Sequence, residues 1–106
     1  MLQLVKDALA STGLPFAHHA WASNANEKKT DHGVWAEDSS NDLYADDKHA
    51  ERAIQGTIDY FTRDDSGAPQ TTIENALNNG QIAWYLSSID YEDDTGFIHY
   101  EWIFEV

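Results

Sequence analysis

The sequence predicts an α+β domain: a mostly antiparallel sheet of about four to five strands, with two short helices packed on one face. Three observations carry this. Residues 49–63 alternate apolar and polar with period two. Residues 82–91 and 97–106 form two further alternating runs around a turn. Two short stretches, 2–12 and 71–80, place apolar residues at helical spacing instead.

In the first stretch, Leu2, Val5, Ala8 and Leu9 fall on one helical face. Gly13 supplies a stop and Pro15 prevents continuation. "PFAHHAWA" then suits a strand over about 16–22, on which the neighbours His18 and His19 point to opposite faces. "SNANEKKTD" reads as an exposed loop, and "HGVWAE" as a short strand around 33–37. Asp38, Ser39, Ser40, Asn41 and Asp42 give strong turn chemistry to a polar segment over 38–48.

The long strand follows. Ala50, Ile54, Gly56, Ile58 and Tyr60 share one face, while Glu51, Gln55, Thr57 and Asp59 share the other. "RDDSGAP" ends it. Thr71 is expected to open the second helix, with Glu74 at capping-box spacing, and Asn79 and Gly80 to close it. In the closing hairpin, Ile98, Tyr100, Trp102, Phe104 and Val106 alternate with His99, Glu101, Ile103 and Glu105. Asp94, Thr95 and Gly96 supply the turn. The last residue lies in the strand, which ties down the C-terminus.

The 106 residues form a single domain, 1–106, long enough for one core. There is no cysteine, so disulfides, thiolate nucleophiles and cysteine zinc sites are excluded. No run approaches a membrane helix or a signal peptide, and no membrane partner is expected. Nineteen acidic against six basic residues give a formal charge of −13. That surplus disfavours binding to a phosphate backbone or to anionic lipid. Solubility, basic partners, or a place beside DNA that is not held all remain open.

Chemical motifs are sparse. His18, His19, His32, His49 and His99 show no helical His-x-x-x-His pair. "YEDDTGF" and "RDDSG" lack the ligand spacing of a calcium loop. Neither a nucleophile elbow nor a phosphate-binding loop occurs. The expectation is a non-enzymatic protein with no cofactor and no metal. Four tryptophans, at 21, 35, 84 and 102, are many for this length; Trp102 alternates in phase with core residues.

Leu14-Pro15, Ser40-Asn41, Tyr44-Ala45-Asp46, Tyr60-Phe61-Thr62 and the alternating Tyr100 to Val106 occur in an order that resembles a family of short proteins from tailed phages and prophages. The resemblance covers nearly the whole chain and is to the tail-completion or tail-terminator proteins of long-tailed phages. The chain departs from the family after Tyr-Ala-Asp, where "DKHAERA" replaces a more lysine-rich, more apolar stretch.

The resemblance implies a virion protein at the junction of tail and neck, assembled in the host cytoplasm. It would form a ring of copies of itself, a hexamer in the type case, on the head-proximal end of the tail tube. Its partners would be the tail tube protein and a neck or head-closure protein. DNA would pass through an acidic channel without being bound. The 38–48 segment is the expected subunit contact or channel loop. Tyr44 would be its anchor, and Asp38, Asn41, Asp42, Asp46, Asp47 and Lys48 its polar surround. Two other readings fit the same residues: a head-closure protein of the neck, and a monomeric acidic inhibitor that mimics DNA.

Overall fold

A computed structural model describes residues 1–20, 30–38 and 53–106. The elements run α1 (Leu2–Ser11), β1 (Phe16–His18), β2 (His32–Glu37), β3 (Gln55–Thr62), α2 (Ala68–Asn79), β4 (Ala83–Tyr91) and β5 (Ile98–Glu105). The strands make one sheet in the order β1-β2-β3-β5-β4. All neighbours are antiparallel except β1 and β2, which are parallel. The architecture is α+β, as the alternation predicts. β3 and β4 run in the same direction with β5 inserted between them, and α2 makes the crossover.

Strand parity decides where the core lies. Gly56, Ile58, Tyr60 and Thr62 of β3 face the same way as Tyr100, Trp102 and Phe104 of β5, and all are buried. Trp35 of β2 joins them. Val5 and Leu9 of α1, with Ile73 and Leu77 of α2, pack onto this face and complete one core. Each such side chain contributes about 1.5–3 kcal/mol by leaving water. Gly33 is required here: the Phe16 ring lies 2.3 Å from where its Cβ would stand, and Tyr60 lies 2.8 Å away.

The ends of the elements differ in part from the sequence expectation. α1 stops as expected, with Gly13 at φ +75°. α2 begins three residues before Thr71. Gly67 takes the N-cap position in the left-handed region, and Pro69 occupies the first turn, where its missing N–H costs nothing. Thr71 N–H is therefore already bonded to the Gly67 carbonyl, and the capping box does not form. Glu74 instead accepts the indole N–H of fully buried Trp102 at 3.0 Å and the amide of Gln70 at 3.1 Å. An unpaired indole there would cost about 1–3 kcal/mol.

At its C-terminus α2 forms a Schellman turn. Gln81 N–H reaches the Asn78 carbonyl, and Ile82 N–H reaches that of Leu77, both at 3.0 Å. Gly80 stays helical; Gln81 takes the left-handed conformation, φ +58°.

In the closing hairpin Gly96 adopts φ +79°, as its turn position requires. The turn is clamped by Arg63, which donates to the Thr95 carbonyl and lies 4.0 Å over the Phe97 ring. β5 ends at Glu105, yet Val106 exchanges both backbone hydrogen bonds with Ile54, so the C-terminus is held. β4 carries a bulge: Leu86 pairs with Trp102 and Ser88 with Glu101, which leaves Ser87 as the extra residue.

Candidate functional site

Three surfaces stand out. The first is the root of the polar segment expected to make subunit contacts. Of its seven nominated residues, Asp38 is described. Its N–H donates to the Gln55 carbonyl at 2.7 Å, extending the β2–β3 ladder by one bond, and its side chain is exposed. Asn41, Asp42, Tyr44, Asp46, Asp47 and Lys48 lie outside the described residues, as do His49, Trp21 and the part of the β3 alternation before residue 53. Beside this root, Gln55, Ala83, Tyr85, Ile103 and Glu105 line a shallow cleft of about 200 Å3.

The second surface is the sheet edge at β4. No described strand pairs with its outer side. Nine residues long, it carries three exposed large side chains: Tyr85, Ile89 and Tyr91, at 59%, 50% and 64% exposure. Tyr85 pairs with Ile103 on the face away from the helices. The bulge then reverses the phase, so Ile89 and Tyr91 pair with Tyr100 and Ile98 on the helix side. The face away from the helices also carries a cross-strand stack. Phe61 lies between His32 and His99, with centroids 4.8 and 4.2 Å apart. His99 hydrogen-bonds Asp59 at 2.7 Å. Burial raises the Asp59 carboxyl above its ordinary value, against the opposing pull of His99.

The third is a cluster that the sequence reading missed. His18 and His19 were expected to diverge on a strand. The strand instead ends at His18, and His19 turns left-handed at φ +75°. The two rings then stack, with centroids 4.0 Å apart. Glu37, at the end of β2, meets both: Oε1 lies 2.7 Å from His18 Nε2, and Oε2 lies 3.7 Å from His19 Nε2. The hydrogen bond from His18 holds the Glu37 carboxyl below its ordinary pKa. His18 is positioned from behind by buried Trp35, at 3.8 Å and 10° from parallel. One ligand atom from each of the three residues lies within 4.8 Å of the others. Histidine tolerates left-handed backbone better than most residues, and that was the one available signal.

No protein-family model matches the chain, and no curated protein matches it. No described helix is long and apolar enough to cross a membrane.

Proposed function

We propose that the chain is a structural protein of a tailed-phage virion, a tail terminator that closes into a ring with copies of itself. The observation that carries this reading is the β4 edge. An edge strand that no described strand covers, with exposed Tyr85, Ile89 and Tyr91, is suited to meet another chain, through backbone hydrogen bonds and apolar side chains together. Contacts of one edge with a different surface of the next copy generate a ring when the rotation closes.

The order of motifs along nearly the whole chain supports the terminator role. The charge of −13 suits a channel that lets DNA pass without holding it. On this reading the ring is a hexamer at the head-proximal end of the tail tube. The tube protein lies on one side and the neck or head-closure protein on the other. The protein works without catalysis, cofactor or membrane.

Native mass measurement with negative-stain imaging, over a concentration series, tests this. The expected result is a closed ring near six subunits with a hole wide enough for a duplex. Replacing Tyr85, Ile89 and Tyr91 together with lysine should abolish the ring and leave the circular dichroism unchanged. A chain that stays monomeric alone and with purified tail tubes overturns the reading. Deleting the gene separates terminator from head closure: overlong tails for the first, heads that leak DNA for the second.

A further inference from the structure

We propose that His18, His19 and Glu37 form a binding site for one divalent transition-metal ion of the zinc and copper class. The donor set is two imidazole nitrogens and a carboxylate oxygen. That is the chemistry zinc and copper prefer, whereas calcium and magnesium take oxygens almost alone.

The donor atoms come within reach of one ion once the His19 ring turns out of its stack on His18. With metal–ligand bonds of about 2.0–2.1 Å, ligand atoms around a tetrahedral ion lie roughly 3.3 Å apart. Here Glu37 already approaches both histidines, one oxygen each, at 2.7 and 3.7 Å. One ligand atom from each of the three residues lies within 4.8 Å of the others.

Two features make this more than a chance grouping of polar side chains. His18 is held in place by its stack on Trp35, so little freedom is lost when it ligates. His19 adopts a sparsely populated backbone conformation, and its effect is to bring a second imidazole beside the first.

The site is open to solvent, with His18 at 39% and His19 at 60% side-chain exposure. Water completes the coordination on that side. Lys6, Leu9, Ala10, Leu14 and Phe16 line an adjoining cleft of about 250 Å3 with His18 and Trp35. Lys6 is the described cation of that cleft, set against a chain whose net charge is strongly negative. The site is independent of ring formation, because its three residues come from one chain.

The test is titration of the untagged full-length chain at pH 7.5. Zinc chloride is followed by calorimetry, and copper chloride by tryptophan fluorescence. The expected result is one saturable ion per chain, undisturbed by a ten-fold excess of calcium. Copper should quench the Trp35 contribution, since His18 stacks on that ring. His18→Asn, His19→Asn and Glu37→Gln should each weaken binding by about ten-fold or more. Asparagine is chosen at position 19 because it tolerates the left-handed backbone. His99→Asn, in the stack on the other face, should leave binding unchanged. Absence of saturable one-to-one binding overturns the proposal. So does an affinity unchanged in the His18→Asn, His19→Asn double variant, which would place the ion on other acidic groups.

Discussion

Asp59 faces Glu101 across the β3–β5 ladder and receives a hydrogen bond from His99. Burial is the largest influence on its carboxyl and raises its pKa; Glu101 adds to the rise, and His99 opposes it. A group raised in the folded state stabilises fully below its unfolded pKa. That stability is lost as the pH rises through the folded value. Asp59→Asn keeps an oxygen for His99 and removes the buried charge. The variant should match the parent near pH 3 and exceed it in urea midpoint at pH 7. A lower midpoint at pH 7 would mean that the His99 contact outweighs burial. Glu37 has the opposite sign. Its lowered pKa gives stability that is present above the ordinary carboxylate range and lost as the pH falls through the folded value. None of this was legible in the sequence, because the Glu37 shift depends on a neighbour 19 residues away in the chain and the Asp59 shift on burial that only the folded sheet creates.

At the scale of elements, the sequence carried the periodic signals well. The faces of β3 and β5 follow from alternation, and α1 from its apolar stripe and Gly13. The hairpin turn follows from Asp94, Thr95 and Gly96. Elements set by long-range pairing were harder to see. Parallel β1 is three residues long and exists because β2 lies beside it. The start of α2 was misplaced because Gly67 and Pro69 set it, while Thr71 and Glu74 offered a plausible box that the chain uses otherwise. The end of α2 holds a small strain. Gln81 is left-handed, which costs a residue with a Cβ roughly 1–2 kcal/mol, and the glycine sits one place too early. Gln81→Gly relieves that strain but gives the unfolded chain about 0.5–1 kcal/mol of extra entropy. The net expectation is a gain of about 0.5–1 kcal/mol, read as a rise in urea midpoint at constant slope. The loop proposed for subunit contact was legible only as composition. Asp38 ties its root to Gln55, and its other six nominated residues lie outside the described part.

For the whole molecule, the ring proposed above would bring together chains of charge −13. Their repulsion reaches about 10 Å at 0.1 M salt and three times as far at 0.01 M. If apolar side chains of β4 drive the contact, self-association should strengthen about ten-fold or more from 0.01 to 0.3 M salt, measured by sedimentation equilibrium. Weakening with salt would instead point to ion pairs across the contact. The bulge at Ser87 bears on which strand can join this edge. A regular strand that follows residues 83–86 in step falls one residue out of step at 88–91. The edge thus works like a combination with one tumbler offset. Straight, repetitive strands can engage half of it, and only a partner bearing a matching irregularity can turn the whole lock. An exposed apolar edge can in this way stay selective, resisting the endless stacking that a flat one invites.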